Sequence, residues 1–249
     1  MPNICLTIAY DGTRYAGWQI QKNARTIQEE IEKALKKILK EKVRLIATGR
    51  TDSGVHARAQ VANFKTKKKI PRSSLQAALN SNLPKDISIL KIKNVHSKFH
   101  SQYDAKSKIY RYTILNGRID DPFLKNYYYK FPHKLNVPLM KKEAKVLPGR
   151  HDFKSFQAKS ALSPIKNTVR TIKRINIKKD KHFIYIDIEA NGFLHNMVRN
   201  IVGTLIEIGR GYFPEGSMKK ILSSKDRKKA GPTAPAKGLR LEKVRSKRS

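Results

Sequence analysis

The chain predicts an α+β fold of two ferredoxin-like halves, each running strand, helix, strand, strand, helix, strand. Two patterns carry that prediction. Apolar residues alternate at Ile4–Tyr10 and Ile109–Leu115, as strands buried on one face do. They recur at helical spacing through Ile27, Ile31, Ala34, Leu35 and Ile38, and again over Phe193–Ile208. The halves, residues 1–105 and 106–249, share an element order and no sequence repeat.

In the first half, Ile4–Tyr10 is a strand broken by the loop Tyr10-Asp11-Gly12-Thr13. Thr26-Ile27-Gln28-Glu29 has the form of a capping box and opens the first helix. Val43–Thr48 and Gln60–Lys65 read as strands on either side of the Asp52 loop. Ser73–Leu79 is a short helix stopped near Asn82-Leu83-Pro84, and Ile87–Lys93 is the last strand of this half.

The second half opens with the strand Ile109–Leu115. Asn136 caps a helix that runs to about Val146 and ends at Pro148-Gly149. Val169–Ile177 and His182–Ala190 are strands. Phe193–Ile208 is the most periodic helix, ended by Gly209 and Gly211; a short helix follows at Ser217–Leu222, and Gly238–Val244 closes the half as a strand. Antiparallel sheets with helices on one face leave the other face for RNA or a partner. Neither half has the aromatic-rich signature of an RNA-recognition motif, so a shaped cleft is expected rather than a stacking platform.

Lys and Arg number 54 against 19 Asp and Glu, a formal net charge of +35. That excess points to a polyanionic partner, with nucleic acid the first candidate. No apolar run approaches the roughly 18 residues of a spanning helix, so no membrane is implied. The start, Met-Pro-Asn-Ile-Cys, has no signal-peptide pattern. Cys5 is the only cysteine and sits in an apolar strand, which is expected to bury it in the core of a protein from a reducing, cytoplasmic compartment.

Three constellations carry chemistry. Gly49-Arg50-Thr51-Asp52-Ser53-Gly54-Val55-His56-Ala57 gathers a carboxylate, a guanidinium, two hydroxyls and an imidazole on one Gly-bearing loop. A carboxylate on such a loop, near Arg50, stays ionised as a nucleophile or base. Lys108-Ile109-Tyr110-Arg111-Tyr112 puts two tyrosines on one strand face, where a ring can stack on a base and a hydroxyl can move a proton. In Asn191–Arg199, His195 and Arg199 are spaced to share a helix face, and Arg199 on an otherwise apolar helix wants a carboxylate or phosphate. There is no Cys-x-x-Cys pair, no His-x-Glu followed by cysteines, no phosphate-binding Gly-rich loop and no dinucleotide fingerprint. The reading is therefore a chemistry without nucleotide, redox cofactor or metal.

Together these residues resemble the TruA family of tRNA pseudouridine synthases. The match runs in order over nearly the whole chain: Tyr10-Asp11-Gly12 with Tyr15-Ala16-Gly17-Trp18-Gln19, the Gly-Arg-Thr-Asp loop, Leu79-Asn80 with Leu83-Pro84, and Phe99-His100. It continues with Lys108 and Tyr110-Arg111-Tyr112, His151-Asp152-Phe153, Phe193, Met197-Val198-Arg199, and Thr233–Leu239. Ser53 stands where the family usually has alanine, Ala59 where glycine is frequent, Gln102 where arginine is usual and His195 where tyrosine is common; the basic tail Arg245–Ser249 replaces an aromatic ending.

The resemblance implies that the two halves form one continuous, mostly antiparallel sheet with a central cleft, in a homodimer that holds tRNA. It implies isomerisation of uridines 38, 39 and 40 of the anticodon stem-loop. Asp52 matches the catalytic aspartate, Arg50 an arginine that assists base flipping, Tyr110 the tyrosine that packs on the uracil, and Arg199 the arginine that pairs with the aspartate. His56 joins Arg50 and Tyr110 as a substrate-binding candidate. Asp52 attacks the ribose or the base, or abstracts a ribose proton; the residues leave these open. The alternatives are a non-catalytic tRNA-binding protein or chaperone on the same scaffold, or the same chemistry at other RNA positions.

Overall fold

A computed structural model describes residues 1–158 and 167–246. The elements are β1 (Asn3–Tyr10), α1 (Ile27–Leu39), β2 (Ile46–Ala47), β3 (His56–Lys65), α2 (Arg72–Asn82), β4 (Ile87–Val95), β5 (Ala105–Leu115), β6 (Tyr129–Lys130) and α3 (Val137–Ala144). They continue with β7 (Gly149–Asp152), β8 (Val169–Asp180), β9 (Phe183–Ala190), α4 (Met197–Gly209), α5 (Ser217–Ser224) and β10 (Leu239–Ser246). The chain is mixed α+β and divides into two compact units: Met1–Lys106 with the strand from Arg240, and Ser107–Leu239. Among the described residues no helix is long and apolar enough to cross a membrane. Of the basic tail, Lys247–Ser249 lie outside the described residues.

The first unit has strand order β4-β1-β3-β10, with β2 also on β3. Ile4, Leu6, Ile8 and Tyr10 fill the buried face of β1. Cys5 falls on the opposite face and is only half-buried, because alternation puts it out of phase with the core residues. Burial still pushes its thiol up to about 11. Antiparallel β2 takes the end of β3 at Ala62 and Asn63, and parallel β10 takes the start, at His56 and Ala57. The strand expected over Val43–Thr48 shrinks to Ile46–Ala47. The strand expected over Gly238–Val244 forms as β10 (Leu239–Ser246) and pairs in parallel with β3.

Helix α1 buries Ile27, Ile31, Ala34, Leu35 and Leu39, each Ile or Leu contributing roughly 1.5–3 kcal/mol. Its outer face carries Lys33, Lys36 and Lys37. The capping box does not form: Thr26 has extended N-cap geometry but its side chain makes no capping bond. The amides of Ile27 and Gln28 donate instead to the carbonyls of Gly17 and Trp18, so tertiary contacts satisfy the helix start. Helix α2 lies along β4, where Asn80 brackets Ile89 by accepting from its N–H (2.8 Å) and donating to its carbonyl (3.1 Å). That clamp sits where the β1–β4 register shifts.

The second unit has strand order β5-β9-β8-β7, with β6 on β5. Ile184, Ile186, Ile188 and Ala190 form the fully buried face of β9. The other face carries charge pairs, with Arg111 gripping Asp187 through two bonds of 2.7 and 2.8 Å. Asn136 caps α3 as expected, accepting from Leu139 N–H. Helix α4 is buried on almost every side. It begins at Met197 rather than Phe193, because Asn196 takes a left-handed conformation (φ 58°) that breaks the preceding turn. His195 therefore precedes the helix and shares no helical face with Arg199.

Candidate active site

The loop bearing Asp52 is fixed at its entrance by Thr48, whose N–H and hydroxyl both donate to the Val61 carbonyl (2.8 and 3.0 Å). The Gln60 amide donates to the Gly49 carbonyl at 2.8 Å. Beyond that, the loop is gripped by the segment after β1. Trp18 N–H donates to the Thr51 carbonyl (3.1 Å), and the Tyr10 hydroxyl bonds the Thr51 hydroxyl (2.8 Å) in a buried setting. Burial pushes the Tyr10 phenol far up, so it stays protonated. The carbonyl of Tyr15 accepts from Gly54 N–H and the Ser53 hydroxyl, both at 3.2 Å. Val55 N–H closes back onto the Asp52 carbonyl at 3.2 Å, with Gly54 at φ 74°.

Two glycines permit this close approach. Gly17 has φ 92°, and a β-carbon there would stand 2.5 Å from the Thr51 carbonyl oxygen. One on Gly12 would collide with the Val55 carbonyl. The carbonyl-by-carbonyl grip holds Asp52 half-buried while leaving Arg50 and Ser53 exposed. Such rigid support is what places a reacting group to within a fraction of an ångström.

His56 is 2% exposed, which sets it apart from Arg50. Its Nδ1 accepts from Gly12 N–H at 3.0 Å and lies 3.1 Å from the Asp11 carboxylate. This geometry makes His56 a brace between the two loops.

In the second unit, Tyr110 is on β5 with its ring edge-to-face against Phe193, centroids 5.1 Å apart. Arg199, on the first turn of α4, donates from Nε to the Ala234 carbonyl (2.7 Å) and from Nη1 to the Asn196 side chain (2.9 Å). These bonds set the guanidinium plane, and the left-handed Asn196 is the residue that brings its amide into range.

The Gly231–Pro235 segment that supplies the Ala234 carbonyl is itself tied to α4. Gly231 N–H donates to the Thr204 hydroxyl (2.9 Å), and the Thr233 hydroxyl donates to Asn200 Oδ1 (2.6 Å). Arg227 also donates to Asn200 Oδ1, at 3.0 Å. A β-carbon on Gly203 would overlap the Pro232 carbonyl, so only glycine lets this segment seat on the helix. Tyr112, fully buried, donates to the Pro235 carbonyl at 2.8 Å.

Of the residues singled out in the sequence, Asp52, Arg50 and His56 lie together in the first unit, and Tyr110 and Arg199 lie in the second. Sequence reasoning assigned no supporting role to Gly12 and Gly17, Asn196 or Gly203. Lys108 stands in the Lys108–Tyr112 motif, and burial first and then Arg170 push its amine down to about 8. The glycines were visible only as motif letters, because a backbone-to-backbone approach leaves no side-chain pattern to read.

Residues 6–104 and 144–245 match the family model described as tRNA pseudouridine synthase. A tRNA pseudouridine synthase A from Thermoanaerobacter sp. (strain X514) is 51% identical over 244 residues, 98% of this chain and 99% of that protein. The tRNA pseudouridine synthase A 2 of Clostridium perfringens (strain 13 / Type A) is 49% identical over 244 residues, with the same coverage of both chains. The tRNA pseudouridine synthase A of Moorella thermoacetica is 46% identical over 246 residues, again 98% of this chain and 99% of the relative.

Proposed function

The chain belongs to the tRNA pseudouridine synthase family, and from that premise we propose that it converts uridines 38, 39 and 40 of the tRNA anticodon stem-loop to pseudouridine, with Asp52 as nucleophile. The reaction isomerises uridine in tRNA: the N1–C1′ bond breaks, the uracil turns, and a C5–C1′ bond forms as C5 loses its proton and N1 gains one. The observation that carries the reading is the Asp52 loop, gripped by Tyr15, Trp18 and Tyr10 so that the carboxylate stays half-buried on rigid backbone.

Extruding a stacked uridine costs a few kcal/mol. Phosphate contacts from a chain of formal charge +35 offset that cost, and exposed Arg50 is suited to the vacated position in the stack. Tyr110, braced by Phe193, is the surface for the detached uracil. The resemblance assigns Arg199 as the partner of Asp52, and its anchoring by Ala234 and Asn196 suits a guanidinium that orients a carboxylate. His56 acts through Gly12 as a positioning residue. The family resemblance also supports a cytoplasmic homodimer.

The test is pseudouridine formation on unmodified tRNA carrying uridines at 38 to 40, with product positions mapped. Asp52→Asn is expected to lower the single-turnover rate by a factor on the order of 10⁴ or more while tRNA binding is retained. Tight binding by the wild type with no product on any tRNA overturns the catalytic reading in favour of a binding protein. Product at other positions overturns the assignment to 38, 39 and 40.

A further inference from the structure

Lys108 and Arg170 place two cations on one face of the second unit's sheet. Lys108 and Ile172 both pair with Ala190, from opposite sides. Arg170 is two residues from Ile172 along β8, and Lys108 is two residues from Tyr110 along β5, so all of them share a face. Arg170 is held by its own backbone surroundings, Nη1 donating to the carbonyls of Asn167 (3.0 Å) and Val169 (2.7 Å). Its Cδ and Nε run past the bare α-carbon of Gly192, where an added β-carbon would lie 3.6 Å from both.

Among the described residues no carboxylate forms an ion pair with either cation, and residues 159–166 contain no Asp or Glu. Burial disfavours the charged form of both, and Arg170 adds its repulsion to Lys108. Elsewhere in the unit two arginines on the opposite face are neutralised, Arg111 by Asp187 and Arg174 by Glu189. Two partly buried cations left facing each other are costly unless an anion comes to them. The pair begins one side-chain position from Tyr110, about 7 Å along the strand.

We propose that Lys108 and Arg170 bind a phosphodiester of the tRNA strand flanking the extruded uridine. This rests on the proposed function, which makes Tyr110 the surface for that uracil. Two forked and point-like donors meeting one phosphate give orientation as well as attraction. The pair then anchors the sugar-phosphate beside the target uridine equally before and during reaction, so its contribution falls on binding.

The experiment measures single-turnover pseudouridine formation and tRNA binding against salt for the wild type, Lys108→Met, Lys108→Arg and Arg170→Gln. For Lys108→Met and Arg170→Gln the half-saturating concentration is expected to rise tenfold or more, with the saturated rate within threefold. The slope of log affinity against log salt becomes shallower by about one for each lost phosphate contact. Lys108→Arg keeps most of the affinity. Neutral methylphosphonates placed singly around the target uridine weaken wild-type binding most at one position, and Lys108→Met loses that position's effect. Wild-type affinity and slope in both charge-removing variants overturn the proposal, as does an equal methylphosphonate effect at every position. Should Lys108→Met not fold, the half-exposed Arg170→Gln makes the same comparison. Binding that responds as expected in a wild type forming no pseudouridine sinks the enzyme reading and leaves the phosphate site standing.

Discussion

A β-carbon on Gly12 would stand 2.1 Å from the carbonyl oxygen of Val55, so the first loop of the chain lies directly against the exit of the Asp52 loop. No rotamer relieves this contact, because both partners are backbone. Gly12→Ala is therefore expected to push the two loops apart. Overpacking of this kind costs roughly 1–3 kcal/mol of stability. The larger effect falls on chemistry: a shift of about 1 Å in a reacting group lowers the rate about a hundredfold. Urea unfolding and single-turnover assays measure the two effects separately. A variant with full turnover would show that the loop contact does not position Asp52.

His56 supports the same contact from the side. Its Nδ1 takes the Gly12 N–H, so His56→Ala leaves a buried donor without an acceptor, at a cost of about 1–3 kcal/mol. As a positioning residue it is expected to lower kcat with tRNA affinity unchanged within a few-fold. Asparagine, whose side-chain oxygen can accept the same N–H, is expected to recover part of the loss. An affinity loss without a rate loss would return His56 to the substrate-binding group with Arg50.

The contrast between Asp52 and Gly12 explains how much of the site was legible. Charged and aromatic residues gathered on a loop or strand face announce themselves in sequence, and the proposed site residues Asp52, Arg50, Tyr110 and Arg199 all stand out in that way. Gly12, Gly17 and Gly203 work by having no side chain, so only the folded backbone reveals them. The fold divides in the same way. Local periodicity reports a buried face, which made α1, α2, β4, β5 and β9 readable to within a few residues. The pairing of β10 with β3 joins residues more than 180 positions apart, and no local pattern encodes the choice. The start of α4 was misplaced because Phe193 and Leu194 continue its apolar rhythm, while left-handed Asn196 decides where helix begins.

Tyr112 offers a test of how Arg199 is held. Its hydroxyl donates to the Pro235 carbonyl, and Gly238 leaves room for its ring, with a would-be β-carbon 2.6 Å from Cζ. Tyr112→Phe removes one buried bond and leaves the ring in place, an expected loss of about 1 kcal/mol in stability. The Pro235 carbonyl then loosens beside Ala234, whose carbonyl orients Arg199. The rate is expected to fall several-fold, with little further loss when Arg199→Ala is added. Full additivity of the two substitutions would mean that Tyr112 does not act through Arg199.

Lys108 gives stability a dependence on pH with a definite sign. Burial first, and then Arg170, lower its amine from the ordinary 10.5 to about 8 in the folded chain. Arg170 is the charged group facing it, and His151 pairs with Arg170 across β7 and β8. Between about pH 8 and 10.5 the unfolded chain holds a proton that the folded chain has released. Stability from this group therefore rises with pH across that window and is lowest, by a constant amount, below it. Other groups oppose this trend. Cys5, raised to about 11 by burial, contributes a loss of stability above pH 9, as the unfolded thiol ionises first. The difference between wild type and Lys108→Met isolates the amine, because both chains keep Cys5. The Met variant is expected to be the more stable at pH 7, with its advantage shrinking from pH 8 to 10.5. Thermal or urea unfolding of the two proteins at half-unit pH steps checks this. A stability difference that stays flat across the window would mean that the Lys108 amine is no harder to charge in the folded protein than in the unfolded chain.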